Sequence, residues 1–345
     1  MFEEPLKKTE LGELGEFGLI KHLTSGIVLR NEESKLGIGD DAAVLNFGNK
    51  DVLVSTDMLL EGVHFDLTYT PLKHLGYKAA VVNFSDICAM NGVPKQITVG
   101  LACSNRFPVE ALEQLYEGIA LACSRYAVDL VGGDTTSSKA GLIISITAIG
   151  VCDPGKASHR SGAKAGDLIV VSGDLGGAYM GLQLLEREKA VFMDTPEAQP
   201  ELDGFDYILE RQLKPEARID VIEYLRENQI TPGAMIDISD GLSSELLHIC
   251  AASNLGCKLF EEKIPIDQST YDLAREFGID PTVCALSGGE DYELLFTIRQ
   301  ADYEKVKNSV LLTVIGHMCD ASEGKTMIDK SGGVHNLLAQ GWNSF

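Results

Sequence analysis

Acids standing beside glycines and small hydroxyl residues, next to apolar runs, limit most strongly what this chain can fold into. The run Asp51-Val52-Leu53-Val54 is β-branched and apolar and reads as a strand, which is expected to end where Ser55-Thr56-Asp57 begin, ahead of Glu61-Gly62-Val63-His64-Phe65. The same kind of pairing recurs in Gly37-Ile38-Gly39-Asp40-Asp41, in Gly132-Gly133-Asp134, in Asp237-Ile238-Ser239-Asp240-Gly241 and in Ser287-Gly288-Gly289-Glu290-Asp291. Asp86 adds an acid inside an apolar helical pattern, where burial is costly unless a cation or a donor meets it. Acids with glycines and hydroxyls suit a hard, oxygen-loving cation and a phosphate together. The expectation is that these separated segments converge on one site.

At 345 residues the chain exceeds one ordinary core, and two domains are expected. Its 45% hydrophobic and 23% charged content is that of a globular protein. No apolar run reaches the length of a membrane helix, and Met1-Phe2-Glu3-Glu4-Pro5-Leu6-Lys7-Lys8 lacks the pattern of a signal peptide, so a cytoplasmic protein with no membrane partner is expected. The cysteines are scattered without a C-x-x-C pair and mostly sit among apolar neighbours, as reduced, buried thiols would. A net charge of -22 without clustered Lys or Arg disfavours a nucleic-acid partner. Any phosphate this protein handles must find positive charge elsewhere.

The patterning mixes strands and helices throughout. A short helix is expected over 9–24, a hairpin around residues 42–56, a helix over 71–91, a strand over 97–104 and a helix over 108–126. Val128-Asp129-Leu130-Val131 reads as a strand ending in Gly132-Gly133-Asp134-Thr135-Thr136, and residues 141–151 form the strongest strand of this half. The turn signal Asp153-Pro154-Gly155 marks the boundary between a first domain over 1–153, whose mixed strands and helices read as α/β or α+β, and a second domain over 154–345. Beyond it, a strand over 168–171 leads to Ser172-Gly173-Asp174-Leu175-Gly176-Gly177, where a helix amino terminus could cradle an anion. Residues 187–212 read as loop plus a short helix, 215–229 as a helix, and 242–254 as a helix capped by Ser239 and Asp240. A strand over 292–298, a helix over 301–309 and a strand over 311–316 follow.

Asp40, Asp41, Asp57, Asp86, Asp134, Asp237 and Asp240 come with the hydroxyls of Ser55, Thr56, Thr135 and Ser239 in place of His or Cys. Such a donor set selects Mg²⁺, Mn²⁺ or Ca²⁺ over zinc or copper. The Asp237 segment fails the EF-hand spacing, because its glycine stands at the fifth loop position. Taken singly, Asp40 or Asp240 reads as a helix cap or Asx turn, and His64 equally as a partly buried structural histidine or a substrate contact. No Ser-His-Asp order or activated cysteine stands out, so a covalent enzyme intermediate has no support.

Taken as a set, Gly37-Ile38-Gly39-Asp40-Asp41-Ala42-Ala43-Val44, Ser55-Thr56-Asp57 with Gly62-Val63-His64-Phe65, Asn83-Phe84-Ser85-Asp86, Gly132-Gly133-Asp134-Thr135-Thr136, Arg160-Ser161-Gly162-Ala163-Lys164, Asp237-Ile238-Ser239-Asp240-Gly241-Leu242 and Ser287-Gly288-Gly289-Glu290-Asp291-Tyr292-Glu293-Leu294 resemble the thiamine-monophosphate kinase family. The resemblance runs in order over nearly the whole chain. It implies ATP- and Mg²⁺-dependent phosphorylation of thiamine monophosphate to thiamine diphosphate by direct transfer of the γ-phosphoryl group, within thiamine diphosphate biosynthesis. It implies the two-domain fold of aminoimidazole ribonucleotide synthetase, an amino-terminal sheet that closes a barrel in a homodimer, and a carboxy-terminal α+β domain. By position it implies several Mg²⁺ ions on Asp41, Ser55, Thr56, Asp57, Asp86, Asp134, Asp237 and Asp240. Tyr116, Gly133, Asp134, Arg160 and Ser239 would meet ATP, and His64, Glu290 and Trp342 the thiamine phosphate. Asp40 only precedes a ligand position. No protein base is implied, because the attacking phosphate oxygen is already ionised.

Other members of that superfamily share the metal and nucleotide chemistry. Selenophosphate synthetase would want a reactive Cys in an amino-terminal glycine-rich loop, whereas the first here is Cys88, and the hydrogenase maturation protein would want a carboxy-terminal Cys where this chain has Phe345. The purine-pathway synthetase itself and a non-catalytic metal-binding protein are the remaining readings. Against the last, this many mutually repelling carboxylates are costly to keep without a cation.

Overall fold

The computed structural model describes residues 34–36, 39–197 and 199–339. The helix expected over 9–24 and Trp342 lie outside them. Among the described residues no helix is long and apolar enough to cross a membrane, and all eight cysteines are free, seven of them buried.

The first sheet is built from β1 (Ser34–Leu36), β2 (Ala43–Asn46), β3 (Asp51–Leu60), β4 (Val93–Cys103), β5 (Asp129–Ser137) and β6 (Leu142–Cys152), in the order β1-β2-β3-β6-β4-β5. Every neighbour pair is antiparallel except β4 with β5. Strand β6 alternates buried and half-buried residues along its whole length, as a strand covered on one face must. The covering is α1 (Leu72–Ala89), seated on β6, β3 and β4, with α2 (Val109–Tyr126) packed along it. The two helices cross backbone to backbone. A Cβ placed on Gly76 would stand 1.9 Å from the Leu115 carbonyl oxygen, and one on Gly118 would stand 1.9 Å from that of Lys73.

The second sheet takes β7 (Leu168–Ser172), β8 (Met235–Asp237), β9 (Leu255–Phe260), β10 (Leu294–Ile298), β11 (Leu312–Asp320), β12 (Lys325–Ile328) and β13 (Val334–Asn336), in the order β13-β12-β9-β11-β7-β10-β8. Helices α3 (Gly177–Asp194), α4 (Asp206–Leu213), α5 (Ile219–Glu227), α6 (Leu242–Ser253), α7 (Gln268–Glu276), α8 (Pro281–Ser287) and α9 (Tyr303–Val306) connect its strands. One apolar core runs through both units, joining Leu53, Phe84, Ile97 and Ile146 to Val170, Val221, Met235 and Phe296. The junction is therefore packed rather than hinged on a linker.

Several expectations shift. Ser55, Thr56 and Asp57 sit inside β3, since the strand pairs with β6 for all ten residues, up to Leu60. The glycines at 132 and 133 likewise lie within β5, which is paired to β4 through Ser137. Helix α3 runs on to Asp194, so much of the expected loop after 187 is helix, and α5 begins at Ile219, four residues beyond Pro215. The N-cap of α6 is Gly241, which has no side chain to cap with, and the Asp240 amide donates to Glu245 Oε1 at 3.2 Å. The helix expected over 301–309 shrinks to a 3₁₀ turn and the single turn α9.

Strand β5 forms an edge of its sheet and is exposed along its entire length, with Leu130 at 44% and Val131 at 58% exposure. An open edge of this length, carrying two exposed apolar side chains, is a ready surface for another strand.

Candidate active site at the junction of the two units

Three elements deliver carboxylates to one point. Asp41 precedes β2, Asp86 stands in the last turns of α1, and Asp237 ends β8; one oxygen from each lies within 4.8 Å of the others. Two of these residues come from the first unit and one from the second. Strand alternation points Ser55 and Asp57 to this side of β3, and the Ser55 hydroxyl donates to the Asp86 carboxylate. Strand β2 pairs with β3 only over residues 51–54, and beyond that the Asp57 amide donates to Asn83 Oδ1 of α1 at 3.0 Å. The Ser85 hydroxyl donates to Asp237 at 2.5 Å.

Crowding like charges in a buried space raises their proton affinity. Burial first, and then the Asp41 charge, lifts Asp57 to about 6. Burial and Asp41 lift Asp237 to about 8, against the opposing bond from Ser85. Asp86 is pushed well above the usual carboxylate range by burial and by the charges of Asp57, Asp237 and Asp41. Among the described residues, the guanidinium at this cluster is that of Arg160, whose Nε and Nη2 fork onto Asp41 at 3.2 and 2.9 Å while its amide donates to Asp40 at 2.7 Å. Burial opposes the Arg160 charge, but Asp41, Asp237 and Asp40 outweigh it and raise its pKa. One arginine cannot balance four acids. A donor set of buried, oxygen-only, mutually repelling carboxylates fits a hard divalent cation.

Other expected residues fall elsewhere. The Thr56 hydroxyl takes the opposite face of β3, donating to the Ile146 carbonyl at 3.0 Å and meeting Thr147 Oγ1 at 3.0 Å. Asp134 and Gly133 lie on the exposed edge strand, and the register runs Asp57, Ile146, Val99, Gly133 across the sheet. That is three strand spacings, about 14 Å, so β5 does not join the cluster within one chain. Gly133 is obligatory there, since a Cβ would stand 2.1 Å from the Val99 carbonyl oxygen. Tyr116 is half-buried on α2 against the shared core. His64 stands exposed after β3, its Nδ1 accepting from the Leu60 amide at 3.1 Å. Asp240 and Ser239 follow Asp237 directly, Asp240 half-buried and Ser239 exposed.

The Glu290 segment is zipped onto this one. The Glu290 amide donates to the Ser239 carbonyl at 2.7 Å and the Tyr292 amide to the Ile238 carbonyl at 2.9 Å, with Glu290 held at φ +58°. Next to it, Asp291 fills the amino terminus of α3, accepting from the amides of Gly176 at 2.8 Å and Ala178 at 3.4 Å. The anion expected at that terminus is thus a side chain of the protein itself. Burial raises Asp291 to about 6, although Arg211 and those amides oppose it.

Sequence reasoning passed over Lys78, Gln212 and Glu245. Glu245 has an oxygen buried without a hydrogen-bond partner and is pushed well up by burial and by Asp240. A lysine in the apolar stripe of α1 was a readable signal, because a buried ammonium needs an acid.

Two family models match the chain: the AIR synthase related protein N-terminal domain over residues 39–152 and its C-terminal domain over 164–328. The thiamine-monophosphate kinase of Bacillus subtilis (strain 168) is 33% identical over 339 residues, covering 96% of this chain and 100% of its own. That of Aquifex aeolicus (strain VF5) is 36% identical over 288 residues, covering 83% and 87%. Among solved structures, "AaThiL complexed with AMPPCP and TMP" superposes with a TM-score of 0.82 at 34% identity, over 98% of this chain and 99% of that one.

Proposed function

The chain belongs to the thiamine-monophosphate kinase family of AIR synthase related proteins, and from that membership we propose that it transfers the γ-phosphoryl group of ATP to thiamine monophosphate, yielding thiamine diphosphate. The observation that carries the reading is the meeting of Asp41, Asp86 and Asp237 from both units. A relative whose solved complex holds an ATP analogue and TMP supports the choice of substrates.

Asp41, Asp57, Asp86, Asp237 and Asp240, with the Ser55 hydroxyl, would hold Mg²⁺, Thr56 and Asp134 completing the proposed set. When bound, the metal neutralises phosphate charge and aligns attacking and leaving oxygens. The protein's own part is positioning and electrostatics. Arg160, whose Nε–Nη2 edge rests on Asp41, would offer its remaining N–H groups to phosphate oxygens, and Ser239, Tyr116 and Gly133 would line the nucleotide's place. His64, Glu290 and Trp342 take the thiamine phosphate. No side chain need remove a proton, since the acceptor phosphate is ionised at neutral pH, and transfer proceeds in line.

A homodimer through β5 is part of the proposal. The open edge with exposed Leu130 and Val131 supports it, and a second copy paired there would account for Gly133 and Asp134 lying on it. A cytoplasmic location agrees with the free thiols.

The test is ADP release from ATP and Mg²⁺ with thiamine monophosphate, run beside thiamine and an aminoimidazole precursor, and repeated with EDTA. Turnover with thiamine monophosphate alone, abolished by EDTA, is expected. Turnover only with another acceptor would move the function within the superfamily.

A further inference from the structure

Helix α1 is buried on nearly every side, so each of its polar residues must find a partner. Ser85 and Asp86 meet the carboxylate site. Lys78 lies seven residues before Ser85, two helical turns away on the same face. Its side chain is 6% exposed, and its Nζ stands 2.9 Å from Glu290 Oε1 and donates to the Gln212 carbonyl at 3.0 Å. Gln212, at the end of α4, donates its Nε2 to Glu290 Oε2 at 2.9 Å. Both carboxylate oxygens of Glu290 are therefore held, one from each unit, while that side chain remains 31% exposed. Its backbone is equally constrained, in the left-handed region and bonded to the carbonyl of Ser239.

A carboxylate has about four lone-pair sites, and two are taken here. With 31% of the side chain exposed, the other two stay open to a ligand. A group fixed in this way accepts N–H donors or faces a cation in one defined plane, the complement of an aminopyrimidine or a thiazolium. A carboxylate free to swing would lose that alignment and the orientation it gives the acceptor.

We propose that Lys78 is a positioning residue for the acceptor substrate: together with Gln212 it clamps Glu290 across the junction of the two units and sets the plane in which that carboxylate meets thiamine monophosphate. This rests on the reading of Glu290 as an acceptor contact. Lys78 touches no substrate, and it acts through Glu290 alone. It also ties acceptor recognition to the packing of the units, since the ammonium arrives on α1 and the carboxylate on the loop before β10.

The experiment measures KM for both substrates in Lys78→Met, Glu290→Gln and the double variant, with folding followed by the melting temperature in ATP and Mg²⁺. Lys78→Met is expected to raise KM for thiamine monophosphate about tenfold or more, the scale of a lost charge-assisted bond, with KM for ATP held within about twofold. In the Glu290→Gln background the same change is expected to add nothing. Should Lys78→Met not fold, Gln212→Met reads the other half of the clamp and is expected to raise the same KM. A Lys78→Met enzyme whose two KM values move together, or whose effect persists in full beside Glu290→Gln, would overturn the positioning role. If Glu290→Gln leaves KM for thiamine monophosphate unchanged, the assignment of Glu290 fails first and this inference falls with it.

Discussion

The Ser85 hydroxyl donates to the Asp237 carboxylate at 2.5 Å, joining α1 of the first unit to β8 of the second at the centre of the acid cluster. Asp237 is therefore both a candidate cation ligand and part of the junction. Replacing it by Asn keeps a partner for Ser85 and, above the Asp237 pKa of about 8, removes one repelling charge. Asp237→Asn is expected to lower kcat by about a hundredfold or more, yet to raise the melting temperature in EDTA at pH 9, where the metal-free carboxylate is ionised and its charge is held at a cost in stability. Steady-state rates beside thermal melts check both signs; an active variant would remove Asp237 from the site.

The raised acids make metal-free stability depend on pH. Their folded pKa values, about 6 for Asp57 and about 8 for Asp237 with Asp86 also shifted up, exceed the unfolded range. Such groups favour the folded state fully below the unfolded pKa of about 4, and that contribution is lost as pH rises through the folded values. In EDTA the melting temperature is expected to fall between pH 5 and pH 9, and Mg²⁺ to restore more of it at the alkaline end. A metal effect that shrinks with rising pH would contradict the assignment.

The edge strand β5 offers a test of assembly. Val131→Glu adds a charge to a residue 58% exposed and unpaired in the single chain, so folding is expected to survive. If a second copy pairs there, sedimentation is expected to show monomer, with activity lost in parallel. A dimer that persists unchanged would place the interface elsewhere.

The crossing of α1 and α2 admits no side chain at Gly118, where a Cβ would meet the Lys73 carbonyl at 1.9 Å. Gly118→Ala must push the helices apart, and a loss of about 1 to 3 kcal/mol is expected in denaturant melts. A neutral result would mean that the helices have room to separate.

Much of the site was legible in the residues because its chemistry is local. Asp41, Asp57, Asp86 and Asp237 each announce themselves as acids among glycines, hydroxyls or apolar neighbours, where a lone charge is expensive. The strands and helices around them follow from hydrophobic period, and the turn at Asp153-Pro154-Gly155 falls between β6 and β7. The strand boundaries did not follow. Ser55 to Asp57 looked like a strand end because polar residues interrupt the apolar run, while in the fold β6 supplies hydrogen bonds to the strand regardless of side-chain polarity.

The sequence by itself determined the candidate donors, acids beside glycines and hydroxyls, and a family pattern spread across the chain. Only the tertiary structure decided which of those residues meet. It gathers Asp41, Asp86 and Asp237, turns the Thr56 hydroxyl to the far face, leaves Asp134 on an open edge, and fills the amino terminus of α3 with Asp291. It also gives Lys78 a partner 212 positions away in the chain. Composition and spacing report what a side chain can do, whereas strand register, helix phase and the packing of one unit on another set whom it can reach. Those depend on contacts between segments far apart in sequence, which no local pattern encodes.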